Sequence, residues 1–232
     1  MKKHFILLTA ALSFAFCSFA QTKVTFGLKA GFSGTNTNSK SVPPGGTEVK
    51  TDTKFRPSFH AGVIVDFALA DYCSFQPGLF YSSKGARIKA FGTDPNTGAQ
   101  IPVTVSSHLN YLEVPLNLIY KAKVGKGKFF GGFGPYLAYG IAGKVKGKNE
   151  ASGLTTEIDV KFKNQTMGTA NAVYVKPFDL GINIPVGYEL DMGLLFSANF
   201  SLGLINTSPY QNETEKNYYL GLSVGYLFKK KK

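Results

Sequence analysis

The stretch that decides the fold is YYLGLSVGYLF, residues 218–228, which is followed by four lysines. Large apolar side chains occupy every second position, namely Tyr218, Leu220, Leu222, Val224, Tyr226 and Phe228. The positions between them hold mostly small or polar residues, namely Tyr219, Gly221, Ser223 and Gly225. Because successive side chains of a β-strand point to opposite faces, this alternation predicts a strand with one apolar face and one small, polar face.

The same stretch contains Gly221-x-Ser223-x-Gly225, the spacing of a hydrolase nucleophile elbow. Such an elbow needs a strand, a sharp turn and a helix, with an acid and a histidine later in the chain. Here the alternation continues through Ser223, and neither Asp nor His follows it. The sequence also has no nucleotide-binding glycine motif, paired-cysteine motif or His-Glu-x-x-His motif. We therefore expect no enzyme activity, no cofactor and no metal site.

The same alternation recurs in seven further runs along the chain. They cover residues 24–32, 59–67, 75–82, 111–120, 132–141, 178–189 and 194–204. In each run one face is built from aliphatic and aromatic residues, and the other from Gly, Ser, Asn and scattered charges. The sequence thus predicts eight strands, and runs of about ten residues have the length that a tilted membrane strand needs.

The connections between these runs alternate in length. Residues 33–57, 85–107 and 143–176 are long, whereas ALADY (68–72) and ELDMG (189–193) are short. The remaining two connections are KAKVGKGK (121–128) and the medium-length INTSPYQNETEK (205–216). Outer-membrane barrels have short periplasmic turns and longer extracellular loops. The sequence therefore predicts an all-β protein, an eight-stranded antiparallel up-and-down transmembrane β-barrel with that arrangement of turns and loops.

The apolar face of each run also indicates a membrane. A soluble barrel hides its apolar side chains inside, whereas a continuous apolar face around the outside of a closed sheet requires lipid. Four tyrosines fall beside the short turns or near the C-terminal end and would form one aromatic girdle, namely Tyr72, Tyr120, Tyr188 and Tyr226. A soluble, lipocalin-like periplasmic barrel is the alternative interpretation.

The N-terminal residues have the pattern of a secretory signal peptide. Lys2 and Lys3 precede an apolar run at 5–16, and Ser18-x-Ala20 provides a small-x-small cleavage site. We therefore divide the chain into a cleaved signal peptide, 1–20, and a barrel domain, 21–232, located in the cell outer membrane. Cys17 raises a lipoprotein alternative, although Phe16 stands where such a signal has a small residue.

The charge of the chain limits the classes of partner that it can bind, and its cysteine content limits the disulfides that it can form. Lys and Arg outnumber Asp and Glu by 26 to 14, giving a formal net charge of +12. Basic proteins can bind nucleic acid, but an exported chain with lysines spread over loops and turns is not expected to do so. We expect those lysines to meet outer-membrane lipid and lipopolysaccharide. Removal of Cys17 with the signal leaves Cys73 alone, so no internal disulfide is expected.

Several segments resemble the PorT-like outer-membrane β-barrel family. They are FQPGLFYSSKGA (75–86), NYLEVPLNLIYK (110–121), GGFGPYLAYG (131–140), FDLGINIPVGYEL (178–190), FSLGLINTS (200–208) and LGLSVGYLF (220–228). The resemblance covers nearly the whole chain after residue 20 and implies an eight-stranded outer-membrane barrel, inserted by the barrel assembly machinery. Gly78 departs from the family pattern, which more often has a polar or acidic residue there. The namesake of the family belongs to a secretion apparatus, which makes a link to such an apparatus one expectation.

The face opposite the apolar one carries a set of charges that we expect in the lumen. This predicted polar cluster consists of Lys29, Asp66, Glu113, Asp179 and Glu189. Charges removed from bulk water must be paired, and Lys29, Glu113 and Asp179 would be available to pair across the lumen. The cluster is either a structural plug or a path for protons or ions. Three tyrosines on the same face would help to fill the lumen, namely Tyr111, Tyr136 and Tyr219.

The predicted lumen limits the function. An eight-stranded barrel has an interior only wide enough for side chains, which argues against a diffusion pore. We expect an envelope scaffold, adhesion or partner-docking protein that acts through its extracellular loops on an envelope protein partner. The alternative is a lipid-modifying enzyme of the outer membrane, for which His108 with Ser106 or Ser107 is the one candidate pair. His60 is expected to face the lumen.

Overall fold

The computed structural model describes residues 23–43, 45–93, 98–164 and 172–229. The predicted signal peptide, 1–20, and the expected mature N-terminus, Gln21, lie outside these ranges. The strands are β1 (Lys23–Ser41), β2 (Val49–Lys50), β3 (Thr53–Lys54), β4 (Arg56–Ala70), β5 (Cys73–Lys84), β6 (Arg87–Thr93), β7 (Gln100–Val124), β8 (Gly127–Asn149), β9 (Thr155–Phe162), β10 (Ala172–Val175), β11 (Phe178–Leu190), β12 (Leu194–Gly203) and β13 (Glu213–Leu227). In the ranges described, no helix is long and apolar enough to span a membrane.

Eight of the strands close into a ring. In chain order β1, β4, β5, β7, β8, β11, β12 and β13 each pair antiparallel with the next, and β13 pairs with β1. The closure is in register with the predicted alternation, since Leu28 lies opposite both Tyr226 and Val63. The prediction of an all-β chain with a ring of eight strands, each built on one of the eight runs, is confirmed.

Segments predicted as loops contain five further strands, which the alternation of apolar residues did not indicate. β2, β3, β6, β9 and β10 lie in the three long connections. The connection predicted at 121–128 is also mostly strand, because β7 continues to Val124 and β8 begins at Gly127. Lysine and threonine are frequent in these additions, but β6, β9 and β10 also carry apolar residues such as Phe91, Val160 and Val175.

The outward face of the ring is an exposed apolar band. Phe32 is 80 % exposed and Leu222 is 70 % exposed, although both lie in regular paired strands. The band also includes Phe26, Leu28, Phe59, Val63, Leu79, Leu112, Val114, Leu116, Leu118, Phe133, Leu137, Ile182, Ile184, Phe196, Leu220 and Val224. A monomeric soluble protein does not present so large a continuous apolar surface to water. A lipocalin-like barrel has its apolar side chains inside, whereas here they point outward. The band therefore matches a lipid-facing surface.

The four girdle tyrosines lie at the end of the ring that carries the short turns. The rings of Tyr72 and Tyr120 are 5.9 Å apart, and Tyr226 packs edge-on against Phe228 at 5.4 Å. The Tyr188 hydroxyl donates to the carbonyl oxygen of Val124. Tyrosine is suited to this level because its ring is apolar while its hydroxyl reaches water.

Candidate functional site

The lumen is filled by two ionic clusters, and the one nearer the long loops is the more deeply buried. Its centre is Lys84, the last residue of β5, whose Nζ lies 2.8 Å from Glu113 Oε2 and 3.0 Å from Asp179 Oδ2. Lys84 and Asp179 are fully buried, and Glu113 is 2 % exposed. One ammonium group therefore neutralises two carboxylates on β7 and β11. We call these three residues the upper cluster.

Polar and aromatic side chains complete the upper cluster. Tyr136 and Asn217 donate to Asp179 at 3.3 and 3.1 Å, and the Tyr219 hydroxyl donates to Glu113 Oε1 at 3.3 Å. Lys84 Nζ also lies 4.1 Å from the centre of the Tyr136 ring, a cation–π distance. Such a network holds the buried charges in one arrangement, because every lost contact would leave a polar group without a partner.

Apolar side chains from the connection between β8 and β11 cover the upper cluster. The Phe162 ring packs edge-on against Tyr111 at 5.4 Å. Val160 and Val175 are buried in the same cluster of side chains, together with Leu109. Strands β9 and β10 therefore seal the lumen at the end of the long loops.

A lower cluster closes the lumen at the end of the short turns. Lys121 Nζ lies 2.8 Å from Asp66 Oδ2 and 3.0 Å from Glu189 Oε2. Lys229 adds a second cation, 2.6 Å from Glu189 Oε1. Gln76 donates to Asp66 at 2.9 Å. Between this cluster and the upper one lies a layer of buried apolar side chains: Ile64, Phe80, Ile119, Phe130, Leu195 and Leu227.

Lys29 does not pair with Glu113 and Asp179, the pairing that the sequence left available. Its ammonium group donates to Asn199 Oδ1 at 3.0 Å, and no carboxylate within the described ranges forms an ion pair with it. Asn199 in turn donates to Ser223 Oγ at 2.9 Å, and Ser223 Oγ lies 2.7 Å from His60 Nε2. His60 Nδ1 contacts Ser33 Oγ at 2.9 Å. Lys29 is thus the end of a polar chain in mid-lumen, and it lies apart from the upper cluster around Lys84.

A small chamber remains beside this polar chain. Its volume is about 30 Å³, and it is lined by Lys29, His60, Gln76, Asn117, Asn183 and other side chains. The Oδ1 atoms of Asn117 and Asn183 are buried and have no hydrogen-bond partner. A polar space of that volume has room for about two water molecules. Side chains of both the polar chain and the upper cluster line the chamber, among them Lys29, His60 and Glu113.

Lys84 and Lys121 are the lumen residues that the sequence reasoning missed. The predicted runs ended at Ser82 and Tyr120, where large apolar residues stop alternating. Continuing the same period by two residues from Ser82, and by two from Ile119, places both lysines on the inward face. The signal was therefore present, but these residues were assigned to connections.

The candidate enzyme pair is not assembled in the way that catalysis would need. Ser107 Oγ accepts a hydrogen bond from the Ala86 N–H at 2.9 Å, so it is engaged with the backbone. Among the residues described, no hydrogen bond joins the His108 ring to the hydroxyl of Ser106 or Ser107, and His108 Nδ1 has no partner. Burial, reinforced by nearby Arg56, lowers the pKa of His108 below its ordinary value. The closest histidine–serine contact is the buried pair of His60 and Ser223 in the sealed lumen.

Comparison with known proteins fits this geometry. Residues 19–208 match the family described as outer membrane protein beta-barrel domain, and no curated protein matches the chain. Among solved structures, OprG of Pseudomonas aeruginosa is 14 % identical, with 91 % of this chain and 99 % of that one covered and a TM-score of 0.47.

Two further solved structures are similar. The Neisserial surface protein NspA is 11 % identical, covering 88 % of this chain and 98 % of that one, with a TM-score of 0.41. Ail, the attachment invasion locus protein of Yersinia pestis, is 10 % identical, with 88 % of this chain and 99 % of that one covered and a TM-score of 0.35. The family match covers most of the chain, and the exposed apolar band requires lipid. The chain therefore belongs to the outer membrane protein beta-barrel domain family, and it resides in the cell outer membrane.

Proposed function

We propose that this protein is a closed outer-membrane barrel that acts through its long-loop end as an envelope scaffold, adhesion or partner-docking protein. The observation that carries the proposal is the filling of the lumen. Lys84 and Lys121 each bind two buried carboxylates, and apolar side chains close the space between them and above them. A lumen filled in this way leaves the external surface as the one available for function.

The orientation follows from the lengths of the connections. Outer-membrane barrels keep short turns in the periplasm and long loops outside the cell. On this basis the turns at 71–72, 125–126 and 191–193 are periplasmic, and the end that carries β6, β9 and β10 is extracellular. The barrel assembly machinery would insert the chain, and the PorT-like resemblance makes a secretion apparatus one candidate setting for the docking role.

The long-loop end offers a raised edge that suits docking. β7 and β8 continue as a pair of hydrogen-bonded strands beyond the apolar band, flanked by β6 and β9. Phe91 on β6 is 75 % exposed, and Leu154 at the tip is 70 % exposed. Phe91 is opposite Pro102, whose carbonyl oxygen accepts from the Glu150 N–H at 3.0 Å, and Leu154 follows Glu150 in the connection between β8 and β9. Exposed apolar side chains at a polar edge are typical of protein contact sites.

Loss of these two apolar side chains should abolish docking without unfolding the barrel. We expect the double variant Phe91→Ser/Leu154→Ser to capture at least about tenfold less envelope partner, since exposed anchors of this kind dominate binding energies. The measurement is cross-linking on intact cells followed by purification and quantitative mass spectrometry. A matched control, Val124→Ser/Met192→Ser, removes two exposed apolar side chains at the short-turn end. Equal capture by both variants would contradict the docking proposal.

The lipid-modifying alternative has less support. It requires an activated serine within reach of a histidine at the membrane surface. Ser106 and His108 share the outward face of β7, but within the described ranges no acid forms a hydrogen bond with His108 Nδ1, and Ser107 points to the opposite face. We therefore propose a role without enzyme activity.

A further inference from the structure

The outward face of the extended sheet carries a row of cations directly above the apolar band. On β7 the outward residues Leu112 and Val114 belong to the band, and the same parity continues to His108, Ser106 and Thr104. The strands on either side place cations opposite these positions. The pairs are Lys144 with His108, Arg87 and Lys146 with Ser106, and Lys89 and Lys148 with Thr104. We call these five cations the rim cations.

The rim cations surround a groove with unused hydrogen-bonding groups. The groove has a volume of about 760 Å³ and is lined by Arg87, Lys89, Lys146 and Lys148, together with Thr104, Ser106, His108 and Glu150. The atoms Arg87 Nε and His108 Nδ1 are both inaccessible to solvent and have no hydrogen-bond partner. Leaving a buried donor without a partner is costly. The guanidinium fork of arginine is well matched to phosphate oxygens.

Neighbouring acids neutralise only one side of the groove. Glu157 pairs with Lys144 at 2.9 Å and with Lys146, and Glu150 lies 3.4 Å from Lys148. Hydrogen bonds from Lys146 and Lys144 lower the pKa of Glu157 to about 2, so that side remains ion-paired at neutral pH. Over the part of the chain that the structure describes, no ion pair engages Arg87 or Lys89. The groove therefore presents free positive charge on its β6 side.

The height of the groove matches the headgroup layer of the membrane. Lys144 is opposite His108, four residues beyond Leu112, and Arg87 is opposite Ser106, six residues beyond it. With a rise of about 3.3 Å per residue and a strand tilt of about 45°, these levels lie roughly 9 and 14 Å above Leu112. An outward-facing group at that height meets lipid headgroups before it meets any soluble partner.

We propose that the rim cations bind the phosphate of an outer-leaflet lipid headgroup, with Arg87 as the main contact. The Arg87 guanidinium group supplies directed donors, and Lys89, Lys146 and Lys148 supply surrounding charge. Burial and Arg56 lower the pKa of His108 below its ordinary value, so arginine and lysine supply the positive charge of the site. This inference uses the membrane placement of the barrel and does not depend on the docking role proposed above.

The test is a lipid titration of the purified, detergent-solubilised barrel. The signal is the ¹⁵N–¹H resonance of Arg87 Nε, and the probes are didecanoyl phosphatidic acid, didecanoyl glycerol and inorganic phosphate. We expect saturable shifts with phosphatidic acid and none with the phosphate-free lipid. Inorganic phosphate should bind at least about tenfold more weakly, because it lacks the acyl chains that lie against the apolar band. Equal shifts with both lipids would overturn the proposal, and equal affinity for inorganic phosphate would reassign the groove to soluble anions.

Substitutions distinguish lipid binding at the rim cations from a general effect of positive surface charge. Arg87→Gln/Lys89→Gln should weaken phosphatidic acid binding by about tenfold or more, as expected for the loss of charged hydrogen bonds. For variants that lack Arg87, affinity is read from retained lipid by native mass spectrometry. Arg87→Lys should give an intermediate loss, because it keeps the charge and removes the fork. The control Lys50→Gln/Lys163→Gln removes the same charge from exposed positions elsewhere at this end and should change affinity by less than about twofold.

All variants must first show the heat-dependent gel mobility of the folded barrel. If the Arg87→Gln/Lys89→Gln variant fails this check, Arg87→Lys alone decides the question. Unchanged affinity in a folded Arg87 variant, or an equal loss in the control, would contradict a site at the rim cations.

Discussion

Replacement of Lys84 by methionine is expected to destabilise the folded barrel by about 3–5 kcal/mol, the cost of leaving buried charges without a partner. The substitution keeps the apolar stem but removes the only ammonium group that contacts Glu113 and Asp179 in the described lumen. Both carboxylates would then be buried without a cation. Urea-induced unfolding of the barrel from detergent or lipid vesicles, followed by the shift in gel mobility, measures the change.

Two comparisons make the Lys84 result specific. Lys144→Met removes an exposed ion pair with Glu157 and should cost less than about 1 kcal/mol. The triple variant Lys84→Met/Glu113→Gln/Asp179→Asn removes the whole charge set and should recover a large part of the loss. A cost for Lys84→Met no larger than that for Lys144→Met would show that the upper cluster does not hold the barrel together.

The second large effect concerns the lipid face. Leu116→Arg should destabilise the barrel by about 2–4 kcal/mol, because the side chain points outward in the middle of the apolar band. The matched control is Phe91→Arg, which also points outward but lies beyond the band in water, and it should change stability by less than about 0.5 kcal/mol. Both are measured by the same unfolding titration in lipid vesicles. Equal costs at the two positions would mean that the band does not face hydrocarbon.

The ring could be predicted from the sequence because its information is local. Leu222 and Ser223 differ in character, and a period of two assigns them to opposite faces without any knowledge of the neighbouring strands. The same reasoning gave the order of the ring strands, since consecutive strands of an up-and-down barrel are neighbours. Local pattern therefore accounts for the architecture and for the inward position of the acidic residues.

The pairing inside the lumen could not be predicted in this way. Lys84 meets Asp179, which is 95 positions away in sequence, and His60 meets Ser223, which is 163 positions away. Which inward residues share a level depends on the stagger of all eight strands around the ring, and this quantity has no local sequence signal. The pairing of Lys29 with Glu113 and Asp179, which the sequence left available, is not formed for that reason.

The extension of β7 and β8 was missed for a different reason. Its inward positions include Val145 and Leu109, but its outward positions are lysine, threonine and serine, because water rather than lipid surrounds them. The search for large apolar faces therefore ended where the membrane ends. The change from apolar to basic outward residues on one continuous strand marks that boundary.

The central claim is that the lumen is closed, and single-channel recording tests it most directly. The purified barrel is inserted into planar lipid bilayers at neutral pH, with insertion verified by protease protection of the periplasmic end. The two ionic clusters and the layer of buried apolar side chains fill the ring, and the chamber beside Lys29 and His60 has a volume of only about 30 Å³. We predict no reproducible unitary conductance across the physiological voltage range. Steady, uniform current steps from the wild-type barrel would contradict a closed lumen and would assign the protein a transport role.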